Sequence, residues 1–375
     1  MTVTPAARTA RLPAAGTTRL PAALTLSTVE VHAEGEPGRV VLDAAHLVEG
    51  DTMAERLAYC REHLQPLREL LLHEPRGYPA LCAVLLLPPV TPGADFGVVV
   101  LEQGGFTPMS GSNTMCAVAG AVEAGLLTPT GDTLDVVIDT AVGTVRARAA
   151  VESGRVVCVT VTNVPSFVVA LDLPLEVPEL GTVPVDVVFG GQFFVQARAT
   201  DCGVGLDPAR GRDLVRAGAL VKMAARQQVP VMHPLHPDVD EIGLVMLHSG
   251  PRSAGTDPRN TVVLTQDPLL PDDPGTWTGI LDRSPCGTGT CGRMAALHAR
   301  GDLAVGEEFR HRSIIDSLFV GHLTGTTDLA GTPAVLPTVT GRTWVTGRAE
   351  WRLHPTDPFP AGYTVTDLWA PEARS

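Results

Sequence analysis

Two short segments far apart in the chain share a pattern and differ in their reactive atom: Ser110-Gly111-Ser112-Asn113-Thr114 and Cys286-Gly287-Thr288-Gly289-Thr290. With Ser110 laid on Cys286, the register continues through Gly111/Gly287, Thr114/Thr290, Ala119/Ala295, Gly125/Gly301 and Leu127/Leu303. Each segment leads into a stretch of small, helix-compatible residues, Met115 to Leu126 and Gly292 to Asp302. A thiol at a helix N-terminus gains a stabilised thiolate, because unpaired N–H groups and the helix dipole favour negative charge. The same N–H groups bind a carboxylate without a lysine or arginine. Asp282, just ahead of Cys286, adds a negative charge that suits a substrate ammonium. A carboxylate nest, an ammonium partner and a base beside both describe a site built around an amino-acid α-carbon, with a hydroxyl on one wall and a thiol on the other.

Other readings of the same residues are weaker. The run Gly287 to Gly292 matches G-x-G-x-x-G, but Asp282-Arg283-Ser284-Pro285 ahead of it is no hydrophobic strand. Cys286 and Cys291 do not have C-x-x-C spacing, and no Cys/His set completes four metal ligands. Cys291 reads as structural. A serine in a Gly-rich turn is commonly a helix cap; the register with Cys286 lifts Ser110 above that. His32, His233 and His236 are candidate bases for Ser110.

The elements that must position these residues read as mostly short strands. Thr28 to His32, Thr144 to Arg148 and Val156 to Val161 alternate, and Ala80 to Leu87 is continuously apolar, as expected of a buried strand. With 38 Gly and 32 Pro, the chain is broken at the short intervals of a β-rich fold. Helices are expected over Met53 to Leu72, interrupted by Pro66, and over Asp207 to Arg226, capped by Asp207-Pro208. Pro184 to Gly191 resembles Thr28 to Gly35, a second trace of duplication that places the start of a second half near residue 185.

At 375 residues the chain exceeds what one core usually organises. A net charge of −13 with no basic cluster argues against nucleic acid. Lys222, the only lysine, lies in a polar stretch and reads as solvated rather than as a cofactor anchor. Seven cysteines form no disulfide framework and read mainly as buried small hydrophobes, so a reducing, cytoplasmic setting is expected. No apolar run is long enough to span a membrane, and residues 1 to about 26 read as a disordered or loosely attached tail.

Asp282 to Thr290 resembles the signature of the proline racemase superfamily. The resemblance continues through Glu34-Gly35-Glu36-Pro37 with Arg39, Glu74-Pro75-Arg76-Gly77, Asn163 to Phe167, Phe189 to Phe193 and Gly341 to Trp344. It implies an α/β (α+β) fold of two pseudo-symmetric β-barrel-like halves, each around a central helix, like diaminopimelate epimerase. One half would span residues 27–184, completed by about 349–375, and the other 185–348, with the active site between them. It implies cofactor-free, metal-free chemistry on a hydroxyproline-type imino acid. Ser110 and Cys286 would be the acid/base pair, with Gly111, Ser112, Asn113, Asp282, Gly287 and Thr288 at substrate-binding positions; a homodimer is left open. Racemases of the family carry Cys-Gly-His where this chain has Ser110-Gly111-Ser112. An unassisted hydroxyl is a far poorer acid/base than a thiol. The substitution points to elimination, the dehydration of trans-3-hydroxy-L-proline to pyrroline-2-carboxylate. The alternative is a 4-hydroxyproline 2-epimerase. A non-catalytic amino-acid-binding protein is the rival of a different class.

Overall fold

The structure, a computed structural model, describes residues 20–21, 23–237, 239–250, 256–266 and 268–365. Most of the expected N-terminal tail therefore lies outside the described residues, as does the last part of the expected 349–375 segment. The tail ends earlier than expected, because the first strand begins at Leu24, whose side chain and that of Leu26 are buried.

Among the described residues, five α-helices accompany a β-rich fold: α1 (Met53–His63), α2 (Gln65–Leu72), α3 (Gly111–Glu123), α4 (Gly211–Gln228) and α5 (Gly287–Arg300). Thr52 and Glu55 close a reciprocal capping box on α1. Pro66 does not kink one long helix but starts a second, taking a first-turn position where its missing N–H costs nothing. Pro208 opens a short 3-10 turn capped by Asp207, and α4 follows directly. Cys82–Leu87 is a wholly buried strand.

Eight strands close into a barrel around α3. In ring order they are Leu24–Ala33, Glu36–Val41, Cys82–Leu87, Phe96–Glu102, Thr133–Thr140, Gly143–Glu152, Arg155–Thr162 and the long strand Thr332–Leu353, which returns to the first. The pairings are antiparallel except the second with the third and the fourth with the fifth. Strands around α5 repeat the sequence of directions: Gly181–Phe189, Phe193–Arg198, Ile242–His248, Asn260–Thr265, Glu308–Arg312, Leu318–Leu329, the start of Thr332–Leu353, and Ser166–Val177. Here the fourth and fifth strands meet through a single parallel bridge, Arg259 to Arg312.

The helix threading each ring must be slim. The first eleven residues of α3 are buried and nearly all small. A methyl group on Gly120 would sit 2.8 Å from Val40 Cγ2, so a larger residue there would push the helix off the barrel wall. One apolar cluster, around Met115, Val118 and Val159, takes in residues of both threading helices, including Met294 and Leu297 of α5, and a second, around Phe189, Phe193 and Leu220, packs α4 against the strands. Beyond the long strand, Asp357 forms an ion pair with Arg76, and Tyr363 bridges to Glu74.

Candidate active site

Both matched segments turn out to be helix beginnings rather than loops ahead of helices. Ser110 is the N-cap of α3 and Cys286 the N-cap of α5, so each helix starts several residues earlier than its small-residue run suggests. The two helices meet head to head. A Cβ built on Gly111 would lie 2.8 Å from the Gly287 Cα, and one on Gly287 the same distance from the Gly111 Cα. Glycine at both positions lets two positive helix ends approach one small volume.

That volume is a small cavity between the two helix starts. Ser110, Ser112 and Asn113 line it from α3, and Asp282, Cys286, Gly287 and Thr288 from α5 and the segment before it. Gly111 lies between them against Gly287. All eight expected site residues are therefore brought together. His32, His233 and His236 are not. His32 stacks on Trp344 with ring centroids 4.8 Å apart, and His233 packs between Phe189 and His236. The expectation of a solvated Lys222 also fails: it is buried, and its Nζ donates to Thr265 Oγ1 at 2.8 Å.

The two caps are unlike in more than their reactive atoms. The Gly289 N–H donates to Cys286 Sγ at 3.4 Å, so the thiol caps its own helix. Ser110 makes no such cap bond. Its Oγ instead accepts a hydrogen bond from the Asn113 side-chain amide at 3.1 Å, with Ser112 Oγ 3.5 Å away. Cys286 is also held at φ +63°, outside the region favoured by side-chain-bearing residues. Behind it, Thr290 Oγ1 and Asn260 Nδ2 both donate to the Pro285 carbonyl at 3.1 Å, and His311 Nδ1 is 2.9 Å from Thr290 Oγ1. A buried network thus fixes the turn.

The expected lowering of the Cys286 pKa is reversed. Burial pushes the thiol well up and the Asp282 charge adds to it; the Gly289 N–H and Thr288 hydroxyl oppose them without prevailing. Asp282 accepts from the Ser284 N–H and hydroxyl, each at 2.8 Å. Ser284 Oγ in turn accepts from the Cys286 N–H at 3.1 Å, linking the acid to the thiol-bearing backbone.

Two carboxyl groups in the cavity were missed by sequence reasoning. Glu36 is buried beside Asp282, and burial together with the Asp282 charge holds its carboxyl well above the carboxylate range. Burial also raises the Asp282 carboxyl, while the Ser284 donors and Glu36 oppose that rise and favour its anion. Glu36 Oε2 also accepts from the Arg283 N–H at 2.7 Å. Glu36 stood in a quoted motif without a role. Glu102 ends the buried strand Phe96–Glu102 and lines the cavity too. The signal for it was an acidic residue closing a wholly apolar run.

The proline racemase family model matches residues 28–364. The chain is 38% identical over 337 residues to a 4-hydroxyproline 2-epimerase of Streptosporangium roseum, covering 90% of this chain and 97% of that one. It is 37% identical over 351 residues to a 4-hydroxyproline 2-epimerase of Agrobacterium fabrum, covering 93% and 98%. A crystal structure of a hydroxyproline epimerase from Agrobacterium vitis with bound trans-4-hydroxy-L-proline superposes with a TM-score of 0.84, at 34% identity over 92% of this chain and 96% of that one. A PhzF-family protein of Bacillus anthracis, at 14% identity and a TM-score of 0.53, shares the fold. These relatives overturn the dehydratase expectation, since their names are those of epimerases. That expectation rested on an unassisted serine hydroxyl, and the Asn113 amide on Ser110 Oγ removes its premise. A head-to-head pair of helix ends inside a β-barrel fold, the Asp282-to-Thr290 signature and a match over nearly the whole chain agree: this protein belongs to the proline racemase family.

Proposed function

We propose that this chain is a cofactor-independent 4-hydroxyproline 2-epimerase, removing the α-proton on one face of the ring and returning a proton on the other. The observation that carries the reading is the pair of N-caps, Ser110 and Cys286, lining one cavity with Asp282 where two helix ends touch through Gly111 and Gly287. The full-length similarity to 4-hydroxyproline 2-epimerases supports the substrate class. In this mechanism the substrate carboxylate sits on the first-turn amides of α3 and α5, at Gly111, Ser112, Gly287 and Thr288. These donors stabilise the enediolate-like charge that develops when the α-proton leaves. Asp282 holds the ring ammonium.

The raised thiol pKa then has a use. An ammonium beside Asp282 offsets the negative charge that helps hold the thiol neutral, so substrate binding itself favours the Cys286 thiolate. Cys286 takes the α-proton from one face, and Ser110 protonates the other, its developing alkoxide supported by the Asn113 amide. The reverse reaction exchanges these roles. The two rings around α3 and α5 act in this reading as halves that close on one α-carbon; the repeated order of pairing directions supports that division.

The test uses purified protein with trans-4-hydroxy-L-proline in deuterated buffer, followed by NMR and chiral chromatography. Cis-4-hydroxy-D-proline carrying α-deuterium should accumulate, and Cys286→Ala should abolish it. Absence of inversion by the unmodified protein overturns the proposal.

A further inference from the structure

We infer that Glu102 accepts the ring hydroxyl of the substrate and is the residue by which this site selects a hydroxylated imino acid over proline; this rests on the epimerase reading and sharpens its substrate specificity. The cavity lining carries two kinds of group. The helix amides, Asp282, Ser110 and Cys286 serve groups common to any α-amino acid. The rest of the lining includes Leu244, Val262 and Leu264, which suit ring methylenes, and Glu102.

Glu102 is only 8% exposed. A carboxyl so deeply buried is normally hydrogen-bonded, because leaving it unpartnered in a low-dielectric site is costly. Among the described residues nothing in the protein donates to its side chain; its backbone pairs with Gly105, and its carbonyl accepts from Arg68 Nη1 at 3.1 Å. Glu36 and Asp282, by contrast, are occupied with each other and with backbone donors. Lys222, anchored on Thr265, exerts a favourable field on Glu102, while burial and Asp282 push its carboxyl up to about 7. The group is thus a buried carboxyl in the cavity lining, its charge partly compensated by Lys222 and its oxygens without a donor from the described residues. A hydroxyl on the substrate ring is the donor it lacks. A site built around such an acceptor discriminates strongly against an analogue without the hydroxyl, since that analogue leaves the carboxyl unpaired.

The experiment compares trans-4-hydroxy-L-proline with L-proline as paired substrates for the unmodified protein, Glu102→Leu and Glu102→Gln, with circular dichroism melts to verify folding. The unmodified protein should favour hydroxyproline. Glu102→Leu should lower the hydroxyproline-to-proline ratio of kcat/KM on the order of 30-fold, and Glu102→Gln by a few-fold. The loss should fall on hydroxyproline far more than on proline. An unchanged ratio, or equal loss on both substrates, overturns the inference while leaving the epimerase intact. Should Glu102→Leu not fold, the Glu102→Gln ratio decides alone. If the unmodified protein inverts neither substrate, the epimerase reading falls, and calorimetric binding of the two ligands decides this one: a preference for hydroxyproline lost in Glu102→Gln supports it, and no preference overturns it.

Discussion

Ser110 and Cys286 occupy equivalent places, yet one is spared from capping and the other is not. In the proposed mechanism the Asn113 amide on Ser110 Oγ would stabilise an alkoxide at the moment it forms, which is what a serine needs to stand opposite a thiol. Ser110→Ala should therefore lower kcat for inversion by roughly 10²- to 10⁴-fold with the fold unchanged. Ser110→Cys should retain inversion, because a thiol is the better acid/base. Stopped-assay kinetics with chiral detection measure both, and inversion that survives in Ser110→Ala at an unmodified rate would remove Ser110 from the reaction. At this scale the sequence was informative where a residue type and its register agreed, as for Ser110, Cys286 and Asp282. It was silent on Glu36 and Glu102, whose importance lies in being buried together, and burial of a carboxyl is decided by partners distant in the chain. The same limit misplaced Lys222: its neighbours in sequence are polar, but its neighbours in space are a strand and a buried carboxyl.

The helix ends are where position becomes chemistry. Gly111 and Gly287 are in mutual contact, so Gly111→Ala must force the two helix N-termini apart or distort both first turns. The expected cost is about 1–3 kcal/mol in stability, with a larger effect on turnover, because a displacement on the order of 1 Å can reduce rate about 100-fold. Denaturant midpoints and kcat measured on the same preparation check this; unchanged turnover would show that the contact is not needed for catalysis. The α5 turn has its own signature in acid. Burial, with Arg293 nearby, lowers His311 to about 3, so it is neutral when folded, whereas the unfolded chain protonates near the model-peptide value of 6.5. Its contribution to stability is complete above that value and is lost as pH falls from there toward 3, at about 1.4 kcal/mol per pH unit within the window. The urea midpoint should thus fall with acidification less steeply in His311→Gln than in the parent, and identical slopes would contradict the assignment. The matched glycines announced both helices. Their starting points were obscured because the first turns are made of Gly, Ser, Thr and Asn, which read locally as loop and become helical only when packed against a facing helix end.

At the scale of the whole molecule, the strand Thr332–Leu353 belongs to both rings. Its first part pairs with Leu318–Leu329 and Ser166–Val177, its middle with Arg155–Thr162, and its last part with Leu24–Ala33. The closure of each ring was not legible in the sequence, since it depends on pairings between residues hundreds of positions apart, while periodicity reports only that a strand exists. Its consequence is mechanical. Neither ring can lose this strand without opening the other, and the two helix ends that build the cavity are fixed by different rings. Unfolding should accordingly be one cooperative transition. Trp351, whose Nε1 donates to Thr28 Oγ1 on the α3 side, and Trp277, buried in the cluster against α4, report from the two rings. Variants each retaining one of these tryptophans should melt at the same temperature by fluorescence. In the proposed binding mode the ligand touches both helix ends, so 4-hydroxyproline at 100 times its Kd should stabilise the entire transition by about 2.7 kcal/mol, raising both fluorescence midpoints together. Two separated midpoints, or a ligand shift confined to one of them, would mean that the rings fold independently and that the cavity is assembled only after each has formed.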